Sequence, residues 1–383
     1  MDKGSRIGSL DGLRGCAALW VLFGHACQLM GAKIPLLGQP ELGVDLFIVL
    51  SGFLMAYQFM LRRDREPWEQ PKSWIKFWTR RIFRIAPLYF ILLLLALALG
   101  GYLYESRVII DASRGVPGQL ESRYLDFSIQ NVMMHMTFAF GLVPAYAFRS
   151  PLPDWSIGLE MQFYAVFPFL MLLIAKRGPV QGMAVIATAA LFIAYWFKAM
   201  GITYPMASFL PLKLNVFLAG MMVAYLAQAQ NRRTVAIYVA MAVVLMALPA
   251  WDMSLKTSAV RIVLVGLFIC LTYGPSISST IAKTFRRPIH VLSSRSANIL
   301  GELSFGAYLI HLLIMQPLGA AMLATPIAGW PAVARFLVLA FFTIIPTYIL
   351  AYLGYRFVEV PWQGVGRSAI KSMGRWRGKL LSA

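Results

Sequence analysis

Charge is what this 383-residue chain has least of: 13% of its residues are Asp, Glu, Lys or Arg, against 59% hydrophobic. A soluble domain carries about 25% charged residues. With a mean hydropathy of +0.67, an ordinary water-soluble fold is excluded. Cysteine is nearly absent. Cys16, Cys27 and Cys270 are odd in number and fall inside apolar stretches, which excludes a disulfide framework and reads as free thiols. No metal-ligand spacing, Walker loop, dinucleotide glycine fingerprint or nucleophile elbow occurs, so metal, nucleotide-fold and Ser-His-Asp hydrolase chemistry have no support. Acidic residues number 16 against 35 basic ones, for a net charge of +19. That excess does not point to nucleic acid, because the Lys and Arg sit between apolar runs and are not interleaved with aromatics on one polar surface.

What is there is a series of apolar runs of about 18 to 25 residues, each long enough to cross a hydrocarbon layer roughly 30 Å thick as a helix. Only helices or a closed barrel satisfy the backbone in lipid, and runs this long are not barrel strands. The expected fold is all-α and polytopic, with about ten transmembrane helices near residues 13–30, 42–61, 85–101, 155–175, 180–198, 207–228, 234–250, 258–273, 298–323 and 333–354. Residues 128–148 are apolar but carry Asn131, His135, Gly141 and Pro144. Charge decides against a crossing there. With ten spans and both termini cytoplasmic, 25 of the 35 basic residues lie inside, as the positive-inside rule requires. With an eleventh span, Lys283, Arg286, Arg287, Arg295 and the basic tail would fall outside. Residues 102–154 then form a large outer segment that lies on or dips into the membrane. Residues 1–362 form one transmembrane domain and 363–383 a basic cytoplasmic tail, read as an interfacial anchor to anionic lipid. The N-terminus is too polar before Asp11 for a cleavable signal, so the first run is a retained span.

Ionisable groups inside spans are costly and mark candidate sites. In the first span, DGLRGCAALWVLFGHACQ, Arg14 and His25 are eleven residues apart, which is three helical turns on one face and roughly 16 Å along the axis. A cation thus sits at the cytoplasmic end and an imidazole in the outer half. The second span, ELGVDLFIVLSGFLMAY, enters from outside with Asp45 shallow and Ser51 deeper. Asp45 is placed to fix the tautomer of His25. The connector IKFWTRRIFRIAPLYF presents Arg80, Arg81 and Arg84, whose guanidinium forks suit phosphate better than lysine would. In PLPDWSIGLEMQFYAVFPF, Ser156 and Glu160 share a face at i and i+4. Glu160 should lie at the depth of His25, a pairing suited to acid/base chemistry. NILGELSFGAYLIHLLIMQP adds Tyr308 and His311 at i and i+3, with Glu302 nearer the cytoplasm. His135 and His290 lie outside the expected spans and read as structural.

The pattern resembles the membrane acyltransferase family 3, over nearly the whole chain. The resemblance rests on Arg14 and His25 with ten residues between, the stretch from Gly43 to the S-G-F of Ser51–Phe53, Arg81-x-x-Arg84, Trp155-Ser156-x-x-x-Glu160, LGELSFGAYLIH, and YRFVEVPW from Tyr355 to Trp362. It implies transfer of an acyl group, most often acetyl from cytosolic acetyl-CoA, to a hydroxyl of a surface polysaccharide or lipid-linked sugar at the bacterial inner membrane. It also implies that Arg14 and His25 are needed for activity. Acyl-CoA would be a co-substrate, with no permanently bound cofactor and no metal. The partners implied are membrane lipid, acyl-CoA and a carbohydrate acceptor, and a homo-oligomer is compatible with the sequence. The chain ends soon after the tenth expected span, which leaves no room for the extracytoplasmic hydrolase-like domain that some relatives carry.

The expected division of labour follows. Arg81 and Arg84, assisted by Arg80 and Arg14, hold the donor's phosphates. His25, oriented by Glu160 or Asp45, removes the acceptor proton or relays the acyl group covalently. Ser51, Tyr308 or a backbone N–H holds the oxyanion, and Trp155, Ser156 and His311 complete the binding site. The rival reading is a transporter or flippase, since intramembrane Arg, His and Glu also mark substrate and proton paths.

Overall fold

The computed structural model describes residues 8–118, 120–249 and 255–380, and among them every regular element is helical. In chain order these are α1 (Gly8–Met30), α2 (Pro40–Arg62), α3 (Pro71–Ala98), α4 (Gly100–Ser113), α5 (Ser122–Leu125) and α6 (Ile129–Met136). Next come α7 (Trp155–Arg177), α8 (Pro179–Ala199), α9 (Leu214–Tyr225), α10 (Arg232–Ala247), α11 (Leu255–Ile277) and α12 (Ser279–Leu292). The last four are α13 (Arg295–Glu302), α14 (Ser304–Leu323), α15 (Ala332–Gly354) and α16 (Val360–Leu380).

Eight helices among the described residues are long and apolar enough to cross a membrane: α1, α2, α3, α7, α8, α11, α14 and the rod that begins with α15. This is a multi-pass membrane protein. The runs expected at 207–228 and 234–250 become α9 and α10, which are shorter than the other crossing helices, at 12 and 16 residues. The run expected at 298–323 is broken at Leu303 into α13 and α14. Residues 128–148 hold only the eight residues of α6, a left-handed Phe138 and a 3₁₀ turn at Ala139–Leu142, none of which could reach across a bilayer. The reading of the first seven residues, and the side-chain part of the tail reading beyond Met373, lie outside the described residues.

Local chemistry sets the helix ends. Pro40, Pro71 and Pro179 sit in the first turn of α2, α3 and α8, where no N–H partner is lost. Ser128, Asn231, Ser278 and Ser294 cap α6, α10, α12 and α13 by accepting backbone N–H groups. α7 and α8 are joined by Gly178 alone, at φ +81°, a conformation that disfavours any side chain. α3 starts at Pro71, a full 14 residues before the expected span, so the arginine-bearing connector is itself helical.

The core is built around α9, all of whose residues are buried, and α2, which packs along it. Their approach is too close for side chains. A Cβ on Gly52 would lie 2.1 Å from the Phe217 carbonyl oxygen, and one on Gly220 would lie 2.0 Å from that of Val49. α1 packs against α2, α13, α14 and α15. Large apolar side chains such as Phe192 and Trp196 on α8, and Phe341, Phe342, Ile345 and Ile349 on α15, face outward, where lipid replaces water. Beyond α15 a π-helical turn at Tyr355–Glu359 carries the chain into α16 without a break, and α16 lies against α3, with Gly366 at Phe83.

Gly220→Ala should cost about 1–3 kcal/mol by overpacking this contact. Thermal unfolding of the detergent-purified protein would show a lowered midpoint, and an unchanged midpoint would mean the two helices can part freely.

Candidate active site

A cavity of about 960 Å³ runs into the bundle, at the upper end of the size of small-molecule sites. Its mouth is lined by Arg62 at the end of α2, by Asp64, Arg65 and Glu66 of the α2–α3 connector and by Gln363 of α16. Further in are Asp11 and Arg14 from α1, Ser51 and Gln58 from α2, Arg81 and Arg84 from α3, Ser156, Glu160 and Tyr164 from α7, and Glu302 and Tyr308.

The helical start of α3 explains the arginines. Arg81 and Arg84 are at i and i+3 and so share one face. Nη2 of Arg81 donates to Oε1 of Gln58 at 2.7 Å, and the guanidinium lies 5.6 Å from the ring centre of Tyr164 and 5.7 Å from that of Phe77. Nε of Arg81 is buried with no partner. No hydrogen bond or ion pair among the described residues engages Arg14 or Arg84. Arg80 is placed differently. It does not line the cavity and is held by Glu66, with Nη1 donating at 3.0 Å and Nη2 at 2.6 Å. Burial alone would push the Glu66 carboxyl up, but the hydrogen bonds and charge of Arg80 outweigh it and hold that carboxyl below the usual range.

Deeper in, Ser51 Oγ donates to Glu160 Oε1 at 2.9 Å, and the Tyr164 hydroxyl donates to the same oxygen. The Tyr308 hydroxyl gives its proton to the Pro153 carbonyl at 2.5 Å, so Ser156 Oγ, 2.7 Å from it, donates to Tyr308. Trp155 is buried in the core one residue before Ser156 and does not line the cavity.

His25 and His311 stand behind Tyr308, outside the cavity lining. Nδ1 of His25 is 2.8 Å from Nε2 of His311, and Nδ1 of His311 is 3.2 Å from the Ala307 carbonyl oxygen. With ring centres 5.0 Å apart and planes 21° apart, the two imidazoles meet end to end, as an in-plane hydrogen bond requires. The Tyr308 ring centre is 6.1 Å from that of His311.

Two expectations about His25 need correction. Asp45 does not orient it: the carboxylate receives Lys213 Nζ and Arg261 Nε, both at 2.6 Å, in a buried triad joining α2, the start of α9 and α11. Glu160 does not orient it either, since its bonds go to Ser51 and Tyr164 within the arginine-lined cavity. The group at His25 is His311. The sequence reading passed over Lys213, Arg261, Gln58 and Tyr164. Two of them carried a signal, for Lys213 and Arg261 are cations inside apolar runs and require a buried anion.

A family model described as an acyltransferase domain matches residues 7–352. BcsY of Komagataeibacter xylinus, provisionally named a membrane-bound transacylase, is 30% identical over 190 residues, 49% of this chain and 43% of its own. The regulator of hypoxia-inducible factor 1 of Caenorhabditis elegans is 28% identical over 211 residues, 49% of this chain and 38% of its own. The peptidoglycan O-acetyltransferase OatA of Listeria monocytogenes is 22% identical over 367 residues, 92% of this chain and 55% of its own. The chain thus spans about half the length of these relatives. No solved structure matches it.

Asp45→Asn should leave Lys213 and Arg261 buried without their anion and cost about 3–5 kcal/mol. A large fall in the unfolding midpoint is expected. An unchanged midpoint with altered substrate affinity would return Asp45 to the binding site.

Proposed function

Because the chain belongs to the acyltransferase family, we propose that it is a membrane-bound O-acyltransferase moving an acyl group, acetyl in the first instance, from acyl-CoA to a hydroxyl of a surface polysaccharide or lipid-linked sugar. The observation that carries this reading is the cavity itself: Arg14, Arg81 and Arg84 project into it, and a buried N–H of Arg81 is left unused. A phosphate-bearing ligand supplies the oxygens those donors lack. The O-acetyltransferase name of OatA, which aligns over 92% of this chain, supports the acetyl group and a glycan acceptor.

The topology proposed with it has ten crossings and both termini in the cytosol. α10, and α9 with its flanking 3₁₀ turns at Leu210–Leu212 and Leu226–Gln228, would supply the two crossings beyond the eight longer ones. The α2–α3 connector at the cavity mouth then faces the cytosol, where acyl-CoA is made. The membrane is the bacterial inner membrane, so the acceptor reaches the site from the opposite side.

In the proposed reaction the donor's phosphates bind at Arg14, Arg81 and Arg84, and its pantetheine arm lies along the cavity toward Ser156 and Tyr308. Glu160, fixed by Ser51 and Tyr164, braces this wall. His25 takes the proton of the acceptor hydroxyl as that oxygen attacks the thioester carbonyl carbon. The carbon–sulfur bond breaks, the ester forms, the thiolate leaves as coenzyme A, and the proton held at His25 passes to it or to water.

Purified protein in vesicles, given labelled acetyl-CoA and a crude glycolipid acceptor, should transfer label to the acceptor. His25→Ala should lower the rate about 10²–10⁴-fold, the usual contribution of a general base. Movement of unmodified acceptor across the membrane without acylation would replace this reading by transport. Arg81→Gln and Arg84→Gln should each raise the KM for acetyl-CoA about 10- to 100-fold, as expected for charged hydrogen bonds of about 1.5–3 kcal/mol. An unchanged KM would remove these arginines from the donor site.

A further inference from the structure

The pair behind Tyr308 fixes its own proton positions. A backbone carbonyl only accepts, so the contact of Ala307 with Nδ1 of His311 places a hydrogen on that nitrogen. His311 is 1% exposed, where an imidazolium is expensive, so the ring is neutral and its Nε2 holds a lone pair. Nδ1 of His25, 2.8 Å away, must then be the donor. In the neutral His25 ring Nε2 is then unprotonated, and no hydrogen bond or ion pair among the described residues engages it. The acceptor at the far end of the chain is a carbonyl one helical turn back on α14, so the His311 ring is held by its own helix.

We infer that His311 is a positioning residue: its Nε2 sets the tautomer of His25, aims the His25 lone pair, and takes up charge when His25 gains a proton. This rests on the reading of His25 as the general base and gives His311 no contact with the acyl donor. Charge around the pair explains why such a partner is needed. The cations nearest the pair are already engaged: Arg107 on α4 is paired with Asp111 at 2.9 Å, and Nε of Arg123 on α5 donates to the Ser150 carbonyl. Among the described residues no carboxylate contacts the His25 ring to offset a proton gained there. The lone pair of His311 does so, through a hydrogen bond that strengthens once its donor is charged. The role matches that of the carboxylate in a catalytic triad, with a neutral ring in place of an anion.

The test uses the full chain in vesicles with acetyl-CoA and glycolipid acceptor, comparing His25→Ala, His311→Leu and His311→Gln. His311→Leu should lower kcat about 100-fold or more while the KM for acetyl-CoA stays within about twofold, because only the base is misplaced. In His311→Gln the amide oxygen can accept the Nδ1 hydrogen, so at least about tenfold of that loss should return. The amide is a weaker acceptor than imidazole, so the rising limb of kcat against pH should move to lower pH in His311→Gln. Full activity in His311→Leu, equal losses in both variants, or a raised KM with unchanged kcat would overturn the positioning role. His25→Ala separates the two readings. An active His25→Ala removes the base itself, whereas an inactive His25→Ala beside an active His311→Leu removes only the inference about His311. If His311→Leu fails to fold, the pH limb of His311→Gln decides: unmoved, it overturns the role.

Discussion

Lipid solvates neither a charge nor an open peptide group, and this constraint shapes every polar feature of the protein. Ionised side chains in the bundle fall into two kinds. Some are satisfied internally, as in the Asp45, Lys213 and Arg261 triad that ties three segments of chain together. Others, Arg14, Arg81 and Arg84, are left to face one shared cavity. The first kind holds the frame and the second kind makes a site, and the cost of burying either is what makes them informative.

The two histidines occupy a third situation. They are neutral groups linked in series to a backbone carbonyl, so they can sit where an ion would be costly and still offer a lone pair. Tyr308, with its hydroxyl held by Pro153 and Ser156, stands between them and the arginine-lined space. The ring of Tyr308, whose position is set by hydrogen bonds at the start of α7, thus lines the cavity on one side and lies 6.1 Å from the His311 ring centre on the other.

Much of this was legible in the sequence because membrane helices announce themselves by length and apolarity. α1, α2, α7, α8 and α15 fall within a few residues of the expected spans. α3 and α9 were misjudged for opposite reasons. The polar face of α3 hid a helix that hydropathy could not register, while the buried run around α9 included turns that hydropathy counts as helix. At the site, spacing along one helix brought Ser156 and Glu160 to one cavity, but of Arg14 and His25 only Arg14 lines it, and of Tyr308 and His311 only Tyr308. Pairing between helices was not reliable. Asp45 was matched to His25 by depth alone, and the true partners Lys213 and Arg261 lie 168 and 216 residues away in sequence, where no local pattern reaches.

The rod formed by α15, the π turn and α16 is one unbroken helix from Ala332 to Met373, 42 residues. At 1.5 Å per residue it is about 63 Å long, roughly twice the hydrocarbon thickness. A good part of it must therefore lie beyond a single crossing of the hydrocarbon layer. That part packs against α3 at Gly366 and Phe83, the helix that also carries Arg81 and Arg84. The end of this long helix and the guanidinium groups of the cavity are thus carried by two helices in direct contact, so the packing of one bears on the placement of the other.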